Sequence, residues 1–493
     1  YYEELYRLYI DENQPLERRY RQLRESLERV VREKIQGNSL QTTDLAARIN
    51  YVATQYGLDL KEQNQLHTFR LTSNDILNHR KSPVKEEFLR DLRAVAYAYR
   101  KMFAQDIPLK LFSVLPKQEI ASSGKKEKME YIRRIRVCFD YADDTYLYVH
   151  PVDVIADELI RVVYNKPGIN HEFEETIKEL WRYAQLNLLD VSVDRDGIYT
   201  PSFIVLEPDY LIDISSLAEC YKDYGSHPAN YFLSRLVPID NARPLLLGNI
   251  ANLFLDEWIH AGEEEPDYID CMKKAFRQYP IELAACAELR DPSKEKEFAK
   301  DCRMHFEHIR DVVQHTFLEP GYNLDKKEAV LEPSYICEAL GIQGRLDYMQ
   351  RDMSSFIEMK SGKADEFSMQ GKVEPKENNK VQMLLYMAVL EYSMGQDRRR
   401  MHPYLLYTRY PLLYPARASW AQVRRVINLR NRIVAAEYGV QFHNHPDFTR
   451  NLLAQINPEV VNERKLSGRF WEQYLKPSIS RFREKLSALE PLE

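Results

Sequence analysis

No pair of cysteines in this 493-residue chain is spaced as Cys-x-x-Cys. The six present, Cys138, Cys220, Cys271, Cys286, Cys302 and Cys337, follow no regular spacing. That excludes a disulfide framework and a clustered metal clip, and fits buried free thiols in a reducing compartment. No apolar run approaches the roughly 18–20 residues of a membrane span, and no segment resembles a signal peptide. A cytoplasmic protein that does not engage a membrane is therefore expected. The spacing G-x-x-x-x-G-K-[ST] is missing too, since Gly362-Lys363 and Gly371-Lys372 lack the preceding glycine, so no ATP motor is legible. Neither G-x-S-x-G nor a Cys/His nucleophile pattern occurs, and there is no internal repeat or low-complexity segment. Excess positive charge is lacking as well. Lys and Arg number 69 against 75 Asp and Glu, a net charge of −6, so contact with nucleic acid would need local basic surface. What remains is 44% hydrophobic and 29% charged, a globular composition long enough for two to four domains.

The informative stretch is Gly344-Arg345-Leu346-Asp347, followed by Phe356-Ile357-Glu358-Met359-Lys360-Ser361-Gly362. Side chains alternate along a strand, so Glu358 and Lys360 share one face while Ile357 and Met359 enter the opposite layer. A preceding strand from Ile342 to Met349 would carry Asp347, and a short polar connection from Gln350 to Ser354 would close a hairpin that sets Asp347 beside Glu358. Two carboxylates and an ammonium on one face suit a divalent cation and a phosphodiester. Mg²⁺ takes hard oxygen ligands, commonly one or two carboxylates, and leaves places for water and phosphate. Asp347, Glu358 and the Met359 carbonyl are candidate ligands. Lys360 is a candidate for orienting the attacking water or stabilising developing charge. By itself, an acid-x-lysine triplet more often describes a solvated strand face.

Two helices frame this strand pair. Lys380 to Leu390 reads as a buried helix with Gln382 and Tyr386 four apart on one face, and Leu247 to Asp256 as another, with Asn252 and Asp256 similarly related. The ordered set Gly248-x-x-x-Asn252, Gly344-Arg345-x-Asp347, Glu358-x-Lys360-Ser361-Gly362 and Gln382-x-x-x-Tyr386 resembles the PD-(D/E)xK nuclease superfamily in its RecB-like branch. It is most similar to the nuclease part of the nuclease–helicases that process Okazaki flaps and resected ends. Segments 206–213, 215–220 and 427–431 agree, and the resemblance covers roughly residues 200–470.

The resemblance implies an α/β (α+β) restriction-endonuclease-like core, with a mixed central sheet flanked by helices. It implies Mg²⁺ or Mn²⁺ on Asp347 and Glu358, a catalytic Lys360, and support and DNA contact from Gln382 and Tyr386. The family's usual metal-binding His is replaced by Asn252, for which Asp256 one turn later is a candidate substitute. Close relatives hold an iron–sulfur cluster. Cys220 falls at the first cysteine position, but no cysteine follows Cys337, so no such cluster is expected. The implied function is metal-dependent hydrolysis of single-stranded or flap DNA in replication or repair, with a helicase module in the same or a partner chain. The chain starts at Tyr1 rather than Met, in keeping with the nuclease portion of a longer nuclease–helicase. Alternatives are a catalytically weak DNA-binding module and a nuclease of anti-phage defence.

Four regions are expected: a largely helical one (1–112), a mixed α/β one (113–200), the nuclease domain (201–470) and a C-terminal helix (471–493). Glu17 to Ile35 and Lys85 to Phe103 read as amphipathic helices, with a capping signal at Ser73-Asn74-Asp75-Ile76. Arg134 to Tyr141, Thr145 to Val152 and Ser202 to Leu206 read as strands, His171 to Leu188 as a helix, and Asp194 to Gly197 as a turn. Asp291 to Lys296 marks a loop or a helix start, and Ser368 to Asn379 a flexible loop. Basic clusters occur at Lys125–Arg136, at Arg398-Arg399-Arg400, and at Arg417, Arg424, Arg425, Arg430 and Arg432 near Tyr404, Tyr407, Tyr410 and Tyr414. Each is readable as a DNA-contacting face or as ordinary solvated charge. His443-Asn444-His445-Pro446 reads as a plain loop.

Overall fold

Capping residues and apolar spacing decide where the amino-terminal helices run. Asp59 accepts from the Glu62 amide while Glu62 reaches back to the Asp59 amide, a reciprocal cap that opens a helix over Leu60–Leu77. This is a computed structural model, and it describes residues 1–35, 44–116, 131–153, 158–222, 225–236, 243–322, 324–367, 372–417, 419–442 and 470–487. The protein is mixed α/β and divides into two compact units, residues 1–207 with 434–449 and residues 208–433 with 450–493. Among the described residues, no helix is long and apolar enough to cross a membrane.

The first unit begins with six helices: α1 (Tyr2–Ile10), α2 (Leu16–Lys34), α3 (Leu45–Gln55), α4 (Leu60–Leu77), α5 (Lys85–Phe103) and α6 (Leu109–Phe112). On α2, Tyr20, Leu23, Leu27, Val30 and Val31 recur at helical spacing and enter one core with Phe69, Phe88 and Tyr99. Ser73 caps nothing. It lies inside α4, buried, and its hydroxyl donates to the Arg70 carbonyl, the back-bonding open to a mid-helix serine. Next come β1 (Tyr131–Ala142), β2 (Tyr146–Pro151), β3 (Ile160–Val163), the short α7 (Glu174–Lys178), β4 (Gln185–Val193), β5 (Tyr199–Thr200) and β6 (Phe203–Leu206). Because β1 pairs with both β2 and β4, the order β1-β2-β3-β5-β4 closes on itself, with β6 beyond β4. The expected helix from His171 to Leu188 is corrected. Only one short turn plus α7 forms, Tyr183 takes φ 72°, and Gln185 onward pairs with β1 and β6, so burial between two strands overrides helical spacing.

The second unit holds β7 (Ile212–Asp213), α8 (Ile214–Glu219), β8 (Tyr221–Lys222), β9 (Gly225–Ser226), α9 (Pro228–Leu236), α10 (Arg243–His260), α11 (Tyr268–Gln278), α12 (Pro280–Ala285) and α13 (Pro292–Gln314). Asp291 caps α13 and Pro292 takes its first position, so the charged 291–296 segment starts a helix. The chain continues through β10 (Ala329–Leu331), β11 (Ser334–Cys337), β12 (Ile342–Arg345), β13 (Tyr348–Gln350), β14 (Ser355–Lys360), β15 (Asp365–Phe367), β16 (Lys372–Glu374), α14 (Glu377–Met394), β17 (His402–Tyr407) and β18 (Leu412–Pro415). α15 (Trp420–Phe442), whose residues to Ile433 belong to this unit, and α16 (Lys476–Ser487) follow. The expected loop at 368–379 is narrower than that. β16 and the start of α14 occupy 372–374 and 377 onward, while 368–371 lie outside the described residues, as do Lys125–Lys128 and His443–Pro446.

The central sheet of this unit runs β10-β13-β14-β17-β18 and is mixed, since β14 and β17 are parallel and the other pairs antiparallel. Tyr348, Ile357, Met359 and Leu406 pack with Leu247, Ile250 and Phe254 of α10 and Phe306 and Ile309 of α13. Glu358 and Lys360 reach the other face, where Gln382 of α14 meets them. The alternation expected along β14 is therefore present.

The single strand expected from Ile342 to Met349 is instead two, β12 and β13, which belong to different sheets and break at Leu346-Asp347. Its antiparallel neighbour breaks opposite, at Glu332-Pro333, where Glu332 takes φ 49°. Ala329 pairs with Gln350 and Ser334 with Arg345, one unbroken register through the bend, and Glu332 therefore stands opposite Asp347. Two backbone bonds hold the corner, Glu332 N–H to Asp347 O at 3.1 Å and Leu346 N–H to Pro333 O at 3.1 Å. Pro333 has no amide for the ladder, which is why the sheet turns there.

Candidate active site

Asp347 and Glu358 meet because of strand register. Tyr348 pairs with Ile357 and Met349 with Phe356, which brings Asp347 opposite Glu358 on the adjoining strand. Asp347 Oδ2 accepts the Met359 amide at 2.6 Å, fixing the carboxylate at the end of β14. Glu358 is only 4% exposed. Its Oε1 accepts from Lys360 Nζ at 2.9 Å and from Gln382 Nε2 at 2.6 Å, while Oε2 is buried with no hydrogen-bond partner among the described residues. Gln382 completes a triangle, its Oε1 accepting from Lys360 Nζ at 2.8 Å.

Gln382 and Tyr386 lie one turn apart on α14, as their spacing predicts. The Tyr386 hydroxyl donates to the Arg345 carbonyl at 2.6 Å, two residues before Asp347. Gly344 permits that approach. A side-chain carbon there would lie 3.0 Å from Tyr386 Oη and 3.0 Å from Ile214 Cδ1, tighter than most packed contacts, so both side chains would have to give way. On the other side of β14, a carbon at Gly248 of α10 would meet Ser361 Oγ at 3.4 Å.

Electrostatics set this pair apart. Burial, and then the nearby Asp347, push the Glu358 carboxyl up to about 8 despite Lys360 and Gln382. Burial also raises Asp347, against the Met359 amide and Lys360. Burial works against charge on Lys360, yet Glu358 and Asp347 together hold its ammonium above the ordinary lysine value. One cation therefore faces two crowded carboxylates, one of them with an unengaged buried oxygen. That donor set fits a hard divalent cation, which needs only one or two carboxylates.

The remaining candidates are less closely engaged. Asp256 on α10 is half-buried, and its carboxyl is pushed up to about 6 by burial, by Glu332 and by Asp347. Asn252, one turn earlier, is also half-buried. Among the described residues no hydrogen bond or ion pair joins either side chain to Asp347 or Glu358, and no group of three His, Cys, Asp or Glu side chains gathers at metal-binding spacing. Cys220 is buried, with its thiol donating to the Ser216 carbonyl and its pKa pushed up to about 12 by burial. Sequence reasoning missed Glu332. It stands opposite Asp347 across the ribbon, raises that carboxyl, and pairs with Arg345 at 3.2 Å. An acid between an apolar run and Pro333 was the available signal.

Part of the third basic cluster is corrected. Arg430 is fully buried and Arg424 nearly so, while Tyr404 and Tyr407 are core residues. Arg430 Nε donates to the Gly341 carbonyl at 3.1 Å and Nη2 to the Tyr210 carbonyl. Gly341, at φ 64°, leaves room for the guanidinium, because a side-chain carbon would lie 2.3 Å from Nη2. This arginine pins α15 to the turn before β12 and so positions the strand that leads to Asp347. A scan against protein-family models matches none, and a search of curated proteins likewise finds no match.

Proposed function

We propose that the chain is a divalent-metal-dependent deoxyribonuclease of the RecB-like PD-(D/E)xK kind, cutting single-stranded or flap DNA, the nuclease part of a nuclease–helicase. The observation that carries the reading is the pairing of half-buried Asp347 with buried Glu358, with Lys360 two residues along the same strand face. Asp347, Glu358 and the Met359 carbonyl would hold Mg²⁺ or Mn²⁺, with Asp256 and Asn252 nearer the rim. A bound cation there neutralises phosphate charge and lowers the pKa of bound water.

The chain's own residues do the rest. Lys360, held between Glu358 Oε1 and Gln382 Oε1, presents its remaining donor to the attacking water or to a non-bridging phosphate oxygen. Gln382 is a positioning residue, since it fixes both partners. Tyr386 positions the backbone that leads to Asp347. Excluding water from Glu358 strengthens each of these interactions.

The test is cleavage of labelled single-stranded DNA by purified protein with Mg²⁺ or Mn²⁺. Asp347→Ala, Glu358→Ala and Lys360→Ala are expected to abolish cleavage while the circular dichroism spectrum is retained. Cleavage by all three at the wild-type rate would sink the assignment. A second reading, a module that binds DNA without cutting it, is favoured by the amide at Asn252 and by the absence, among the described residues, of three His, Cys, Asp or Glu side chains at metal-binding spacing. Calorimetric Mn²⁺ titration separates them: negligible binding with retained salt-sensitive DNA affinity supports the second reading.

A further inference from the structure

A cleft of about 440 Å³ opens beside Lys360, lined also by Lys222, Lys363, Lys376, Asn379, Tyr407 and Tyr474 among others. Asp347 and Glu358 are not among its lining residues. Four lysines thus line one pocket in a chain whose acidic residues outnumber its basic ones by 75 to 69. Glu219 is the acid in the lining. Its oxygens are already engaged, Oε1 by Asn378 Nδ2 at 2.8 Å and Oε2 by Lys222 Nζ at 3.3 Å. Lys360 is turned toward Glu358 and Gln382. The ammoniums of Lys363 and Lys376 have no ion pair or hydrogen bond among the described residues.

The walls are held in place before any ligand arrives. Tyr407 Oη accepts from the Lys376 amide at 3.0 Å and from Asn379 Nδ2 at 2.6 Å, tying the first turn of α14 to the end of β17. That turn is the amino-terminal end of an 18-residue helix with no side-chain cap, which adds a favourable dipole for an anion. Tyr474 contributes an aromatic ring of the kind on which unpaired bases stack. The volume lies within the roughly 300–1,000 Å³ that encloses a small-molecule-sized group, enough for a nucleotide or two and far too little for a duplex.

We propose that this lysine cleft binds the sugar–phosphate backbone of a single nucleic-acid strand immediately beside the phosphate attacked at Lys360. The inference rests on Lys360 belonging to a phosphodiester-cleaving site. It adds where the strand lies, through Lys363 and Lys376, and why the strand is single.

The test is fluorescence anisotropy with a fluorescein-labelled oligothymidylate of about 16 nucleotides, in EDTA, with the whole chain. Lys363→Gln/Lys376→Gln is expected to weaken binding about tenfold at about 0.1 M salt and to reduce the log–log salt slope by about 1.4, the share of two phosphates on a single strand. A blunt hairpin duplex is expected to bind weakly and to be insensitive to the substitutions. Unchanged affinity and slope in the double variant, with an unchanged melting temperature, would overturn the cleft assignment. Because binding is read without metal, two failures stay distinct. Lysine-dependent binding with no Mn²⁺-supported cleavage by wild type overturns the nuclease reading and supports the cleft. Cleavage by wild type and double variant alike, with equal affinity, overturns the cleft and leaves the nuclease reading standing.

Discussion

Two buried carboxylates, Asp91 in the amino-terminal helical unit and Glu358 in the sheet unit, show how a structural acid differs from a candidate catalytic one. Asp91 is fully buried with both oxygens engaged, Oδ1 by Arg90 Nε at 2.9 Å and Oδ2 by the Tyr20 hydroxyl at 3.1 Å. Burial still pushes its carboxyl up to about 6, opposed by Arg90 and Tyr20. Glu358 has a lysine and an amide on one oxygen, no partner on the other among the described residues, and a second acid opposite it. The first arrangement is complete within the protein. The second crowds two acids against one lysine, so that burial and the neighbouring acid hold back ionisation, and such perturbed carboxyls cluster at functional sites.

The largest expected effect separates activity from stability. Glu358→Gln should lower metal-dependent cleavage by about 10³-fold without lowering the thermal midpoint of the metal-free protein, because it replaces a carboxyl that burial already holds back from ionising with a neutral group of the same shape. Initial rates and calorimetry check this, and a midpoint that drops as far as in an Asp91 variant would erase the distinction. Asp91→Ala should cost about 3 kcal/mol in urea unfolding, since Arg90 and Tyr20 lose their partner, with the cleavage rate per folded molecule unchanged. Gly344→Ala should cost about 2 kcal/mol and reduce cleavage, because Tyr386 and Ile214 must move; a fully active, equally stable variant would show that this contact does not position the site.

The smallest effect is a slope with pH, at most about 1.4 kcal/mol per pH unit for one proton. Both carboxyls have folded-state values above their ordinary ones, so the folded state holds extra protons and stability falls as pH rises. For Asp91 the window runs from 3.8 to about 6, and for Glu358 from 4.5 to about 8. Urea titrations across pH should show Asp91→Asn flattening the lower window and Glu358→Gln the upper. Mn²⁺ should flatten the upper alone, and a cation that leaves that slope intact would count against ligation by Glu358.

Local signals carried much of the architecture. α5 begins and ends at the expected Lys85 and Phe103, and the face alternation of β14 follows from its apolar spacing. The hairpin pairing of Asp347 with Glu358 was readable because only two short strands and a polar turn separate them. The bend at Leu346-Asp347 was not readable, because it depends on Pro333 and Glu332 of a strand that pairs across the ribbon. The burial of Arg430 escaped for a similar reason: its acceptors, Gly341 and Tyr210, are 89 and 220 residues away. Gln185 to Leu188 carries no local mark that two neighbouring strands claim it.

The kinked ribbon makes the count of residues, as much as their identity, a determinant of the site. Glu332, Asp347 and Glu358 stand abreast because one register runs from Ala329 through the bend and a second joins β13 to β14. A single residue gained or lost inside β10 to β14 would turn the following side chains to the opposite face. An added residue is therefore least disruptive in the turn 351–354, whereas the turn 338–341 is held at Gly341 by Arg430.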